Sequence, residues 1–138
     1  MKRSLKLKFT LLLAVSIVSI LLLSGCGQSY KATIRVYNWG DYIDKSIITD
    51  FEKEYNIKVI YTTFTTNEDM YVSLKSGGST YDVVFPSEYM VKRMINEDML
   101  HKINLDNIPN YKYIDDKFKN LPADPNNEYS VPYFWGTL

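Results

Sequence analysis

The sequence predicts an α/β fold, a mostly parallel sheet flanked by helices. Three observations carry that prediction. Runs rich in Ile, Val, Thr and Tyr alternate with segments whose apolar residues recur at helical spacing. The connections between them are short, and residues suited to turns or helix caps stand at the junctions. Strand–helix–strand alternation of this kind requires right-handed crossovers and a sheet covered on its faces.

Residues 1–25 read as an export leader and stand apart from that pattern. Lys2, Arg3, Lys6 and Lys8 open it, and residues 9–23 are apolar except for Thr and Ser. A membrane-spanning helix needs about 20 apolar residues, so a run of 15 suits the core of a signal peptide. It ends in Leu23-Ser24-Gly25-Cys26, which resembles the bacterial lipobox. In a lipobox the lipid is attached to the cysteine and cleavage precedes it. Residues 26–31 are then a lipidated linker, with Cys26 holding the protein to a membrane surface without spanning it.

From residue 32 the elements follow in order. Residues 32–37 form the first strand, and Asn38 to Tyr42 a turn. Asp44 is placed to cap a helix running to Tyr55, with Ile47, Ile48, Phe51 and Tyr55 on one face. Asn56 ends it. Residues 57–64 are the second strand, dense in Ile, Val, Tyr and Thr. Thr66-Asn67-Glu68-Asp69 is similar to a capping box and opens a second helix, with Met70, Tyr71 and Leu74 inward and Gly77-Gly78 as the stop. Residues 81–85 are the third strand. Pro86 ends it, and Ser87 caps a third helix with Met90, Val91, Met94, Ile95 and Met99 on its inner side. Residues 103–127 form a surface segment with one short helix near 113–119, and residues 129–134 a further strand. Because the sequence reaches Leu138 in extended chain, an incomplete reading frame is expected.

Composition excludes several function classes. Apolar residues make up 46% and charged residues 23%, which is ordinary for a folded domain. The formal net charge is zero, but four of the sixteen cations lie in the acid-free leader. The remainder is acidic, which disfavours a nucleic-acid partner. One Cys and one His rule out disulfide frameworks, zinc ribbons and Cys/His catalytic pairs within the chain. No catalytic residue, metal site or cofactor is expected.

In an open parallel sheet, ligands gather beyond the carboxyl ends of the strands. Three turns must share that edge: Trp39-Gly40-Asp41-Tyr42, Thr65-Thr66-Asn67, and Ser87-Glu88-Tyr89. Ser87 has no His or Lys base beside it in sequence, so nucleophilic catalysis is disfavoured. The set suits an organic cation. Each aromatic face attracts an ammonium group by about 0.5–2 kcal/mol, and a carboxylate takes its charge-assisted hydrogen bonds.

These residues resemble a known family. Tyr37-Asn38-Trp39-Gly40-Asp41-Tyr42, Ile57-Lys58-Val59-Ile60-Tyr61, Asn67-Glu68-Asp69-Met70-Tyr71 and Tyr81-Asp82-Val83-Val84-Phe85-Pro86-Ser87-Glu88-Tyr89 are similar to the N-terminal part of the spermidine/putrescine-binding proteins. Those are the extracytoplasmic receptors of polyamine ABC importers. Residues 124–136 continue the likeness. The resemblance implies a type II periplasmic-binding-protein fold, with residues 32–138 as most of a first lobe and the second lobe absent. It implies polyamine contacts at Trp39, Asp41, Tyr42, Ser87 and Tyr89, and an ABC permease as partner. Gly40 falls where some relatives carry a hydroxyl side chain. Bland roles compete at each position. Trp39 also suits a core plug, Asp41 a turn, Ser87 a helix cap, and Tyr89 packing on the sheet, whereas Met90, Met94 and Met99 suit core filler. The open alternatives are another solute on the same fold (ferric iron, a sugar or a different cation), a secreted lipoprotein enzyme with downstream catalytic residues, and a structural surface lipoprotein.

Overall fold

The computed structural model describes residues 29–78 and 80–136. The leader and Cys26 lie outside the described residues. Among the described residues, no helix is long and apolar enough to cross a membrane.

Strand β1 is Ala32–Trp39, α1 is Lys45–Tyr55, β2 is Ile57–Phe64, α2 is Asn67–Lys75, β3 is Val83–Val84 and α3 is Glu88–Asn96. The strands form a parallel sheet in the order β2-β1-β3. β1 and β2 pair in full, from Ala32 opposite Ile57 to Trp39 opposite Phe64. The ladder to β3 is two residues long, shorter than the strand expected over 81–85. Its hydrogen bonding nevertheless extends beyond it, with Asp82 N donating to Arg35 O and Phe85 N to Tyr37 O. Pro86 has no N–H and ends it.

Local chemistry sets the helix boundaries. Asp44 Oδ1 accepts from Ser46 N at 2.8 Å, and that bond holds its carboxyl below the usual range. Asn56 closes α1 in the left-handed conformation at φ 52°, which Asn tolerates. Thr66 Oγ1 accepts from Asp69 N at 3.1 Å and caps α2. Ser87 corrects the expectation at α3. It occupies the N-cap position with extended backbone, yet its hydroxyl makes no cap bond and accepts from Asn67 Nδ2.

Side-chain alternation gives the sheet two unequal faces. Tyr37, Trp39 and Phe64 point to the face covered by α2 and α3. There Met70, Met90 and Met94 are 0–1% exposed, with Tyr71 buried beside them. Tyr37 stacks on Tyr81 at 4.4 Å and meets Phe64 edge-on at 5.0 Å. The opposite face carries Ile34, Val36, Val59 and Tyr61 under α1, with Ile47, Ile48 and Phe51 lining a groove. No residue of α1 is buried, and Ile47 is 56% exposed. The apolar stripe of α1 has the expected spacing but lacks the expected cover.

The distal segment departs furthest from expectation. Short 3-10 turns at Leu105–Asn107, Pro109–Tyr113 and Asp116–Phe118 replace the helix near 113–119. Asp115 and Asp116 are both exposed; Asp115 accepts from Lys117 N and Asp116 pairs with Lys119. Residues 129–134 join no ladder. Buried Asp124 collects the N–H groups of Glu128, Tyr129 and Ser130, which a strand would have donated to a neighbour.

Candidate functional site

The strand order explains why the turns converge. β1 to β2 and β2 to β3 move in opposite directions across the sheet, so right-handed crossovers place α1 and α2 on opposite faces. The chain after β1 and the chain after β3 leave toward different faces at the carboxyl edge between these two strands. Such a switch point is the general ligand position in open α/β sheets.

Trp39 bridges the ends of β1 and β3. Its Nε1 donates to Phe85 O at 2.8 Å. Its ring packs against Phe64 at 4.5 Å and lies 5.8 Å from the ring of Tyr42. Trp39 is half-buried and packs against the core, which fits the plug role weighed for it above. Tyr42 is exposed, and Phe134 stacks on it at 5.2 Å. Tyr133 OH donates to Tyr42 O at 2.6 Å, and the Tyr133 ring meets Phe85 edge-on at 4.8 Å. Asp41 is exposed in the turn between β1 and α1. An added Cβ at Gly40 would meet nothing within 4 Å, so the rim has room for a hydroxyl side chain there.

The third turn is tied to the second. Asn67 is 5% exposed. Its Oδ1 accepts from Ser87 N at 3.0 Å, and its Nδ2 donates to Ser87 Oγ at 2.9 Å and to Tyr89 OH at 3.0 Å. Tyr89 OH in turn donates to Glu68 Oε1 at 2.9 Å, and that bond to a carboxylate raises the phenol above its ordinary pKa. At the neighbouring Tyr61, burial is the larger cause of an upward shift, and its hydroxyl donates to Trp39 O at 3.3 Å.

All five side chains predicted from sequence therefore stand at one edge, in two groups. Trp39, Asp41 and Tyr42 form one, buttressed by Tyr133 and Phe134. Ser87 and Tyr89 form the other, buttressed by Asn67 and Glu68. The four buttressing residues were missed as site residues. Tyr133 reaches Tyr42 across 91 positions, so no local pattern reveals it, and Asn67, although placed on a turn of this edge by the sequence, reaches Ser87 across 20. The rim offers aromatic faces, hydroxyl oxygens and the exposed acids Asp41, Glu68 and Glu88. The Ser87 oxygen faces an amide donor, with no general base beside it among its hydrogen-bond partners in the described residues.

Residues 1–121 match the family of hypothetical lipoproteins described as the MG045 family. This chain belongs to the MG045 family. It is 43% identical over 115 residues to the spermidine/putrescine-binding periplasmic protein of Salmonella typhimurium, a match covering 83% of the chain and 33% of that relative. Among solved structures, a putative spermidine/putrescine ABC transporter protein from Listeria monocytogenes superposes with a TM-score of 0.73 at 50% identity, over 75% of this chain and 32% of that one. The spermidine/putrescine ABC transporter substrate-binding protein PotD of Streptococcus pneumoniae, solved with calcium and HEPES, gives 0.75 at 45% identity, over 77% and 33%. This MG045-family chain thus shares the α/β fold of PotD-type binding proteins. It spans about a third of the length of these relatives.

Proposed function

We propose that this chain provides one wall of a polyamine receptor outside the cytoplasm, which captures spermidine or putrescine and passes it to an ABC importer. The observation that supports this is that the turn holding Trp39, Asp41 and Tyr42 and the turn holding Ser87 and Tyr89 follow the adjacent parallel strands β1 and β3, with Trp39 Nε1 donating to Phe85 O between them. Relatives named as spermidine/putrescine-binding proteins support the choice of ligand. Trp39 and Tyr42 lie against the methylenes and ammonium groups, Asp41 takes an amine, and Ser87 and Tyr89 add hydroxyl and aromatic contacts. Residues 32–138 act as a first lobe, and capture is completed by hinge closure against a second lobe in a longer form. Cys26 carries the lipid that holds the receptor at the membrane surface, in keeping with a family of lipoproteins.

Energetics sets the expected affinity. Micromolar binding requires about −8 kcal/mol. Two or three cation–π contacts and one carboxylate, set against the cost of ordering a flexible polyamine, fall short of that. Calorimetry with spermidine is therefore expected to show weak binding by this chain and tight binding by a form extended to the relatives' length. Trp39→Ala in the longer form weakens binding by more than about 1 kcal/mol. Tight binding by the short chain overturns the two-lobe division, and unchanged affinity in the variant removes Trp39 from the site. Cys26→Ser is expected to move the protein from the membrane fraction to the soluble one. Retention on the membrane would overturn the anchor.

A further inference from the structure

We infer that Glu68 is a direct ammonium-binding carboxylate of this rim, aimed by Tyr89 and Asn67; the inference rests on the cation-binding reading above. The direction of the hydrogen bonds leads to it. Ser87 N can only donate, so the end of the Asn67 amide that faces it is the acceptor Oδ1. The other end, Nδ2, then donates to the hydroxyl oxygens of both Ser87 and Tyr89. With its oxygen taken by that donor, Tyr89 directs its own hydrogen to Glu68 Oε1 at 2.9 Å. Donors thus run in one sense, from buried Asn67 outward to an exposed carboxylate.

A primary ammonium has donors only. Within this second group of the site the carboxylates Glu68 and Glu88 are the strong acceptors, since a carboxylate accepts about twice as strongly as a neutral oxygen. Glu68 is the one that a hydroxyl of the group holds in place. Tyr89 occupies one of its oxygens, leaving most of its lone-pair capacity open to solvent. No Lys or Arg among the described residues pairs with it, whereas Glu52, Glu97 and Glu128 all have cationic partners. Glu68 therefore keeps an uncompensated negative charge at the ligand edge, fixed in direction by a phenol whose ring flanks the same spot. Asp41 stands on a different turn of that edge. Two acids on separate turns suit a ligand with more than one ammonium group, which neither acid alone would select.

The test is NMR of the isotope-labelled 138-residue chain, titrated into the millimolar range with spermidine and, separately, with a neutral diol of similar length. Spermidine is expected to move the Glu68 carboxyl and the Tyr89 ring signals, and the diol to leave the carboxyl unmoved. Glu68→Gln should weaken spermidine about tenfold, the scale of one charge-assisted hydrogen bond. Glu68→Asp should recover part of that loss, which a purely structural role would not. Unchanged signals from Tyr37, Phe64 and Tyr71 verify that the variants keep the core. If Trp39 and Tyr42 respond equally to spermidine in wild type and Glu68→Gln, the inference falls and the cation-binding reading stands. If spermidine moves neither Trp39 nor Tyr42 in the wild-type chain, both fall.

Discussion

Glu97 gathers three partners contributed by α2 and α3. Lys75 Nζ lies 2.7 Å from it, Tyr71 OH donates to the same carboxylate oxygen, and Arg93 Nε is 3.1 Å from the other. The Lys75 bond is the largest cause, with Tyr71 and Arg93 behind it, that brings the carboxyl from 4.5 down to about 2. Depression of a folded-state pKa means that deprotonated Glu97 favours folding. Its contribution is complete above the unfolded value of 4.5 and is lost as pH falls toward about 2. Carboxyl-detected NMR should therefore find the Glu97 midpoint near 2, and Glu97→Gln should remove this share of the acid sensitivity. A folded-state midpoint near 4.5 would show that the network does not hold. The side chain is 30% exposed, so salt should weaken the effect. Asp44 and Asp115 shift the same way for a different cause, since each accepts a backbone N–H at the start of a helical turn.

At the scale of elements, legibility in the sequence follows the range of the determining contact. The ends of α1 rest on Asp44 two residues from Ser46 and on Asn56 itself, and the start of α2 on Thr66 three residues from Asp69. Those boundaries could be read directly. The hydroxyl of Ser87 could not, because the amide that claims it belongs to another helix. Residues 129–134 read as a strand because Tyr129, Val131 and Tyr133 alternate suitably, whereas one side chain upstream decides otherwise. Asp124 accepts from three consecutive backbone N–H groups and from Ser130 Oγ at 2.8–3.0 Å. Asp124→Ala leaves those donors without their acceptor, at a cost of about 3 kcal/mol or more. Urea titration measures the loss, and hydrogen exchange should accelerate first at residues 128–130. Because this segment leads to Tyr133 and Phe134, the variant should also free Tyr42 on its outer side. Unaltered exchange at residues 128–130 would show that the segment is held by other contacts.

For the molecule as a whole, the unequal faces of the sheet decide where stability resides. The face under α2 and α3 holds the methionine and aromatic core, with Met70 at 0% exposure. The face under α1 holds an apolar groove edged by exposed Ile47 and Val83. Equal truncations on the two faces should therefore have unequal effects. Met70→Ala removes a fully enclosed side chain and should cost about 2–5 kcal/mol through lost transfer energy and the cavity left behind. Ile47→Ala, at a site already more than half exposed, should cost about 1 kcal/mol or less. Apolar surface open to water also binds environment-sensitive dyes. The folded chain should enhance the fluorescence of such a dye, and Ile47→Asp should reduce that signal while leaving the urea midpoint nearly unchanged. A large destabilisation by Ile47→Asp would mean instead that the α1 face is packed as firmly as the other. The division of the sheet into a load-carrying face and an open one would then be wrong.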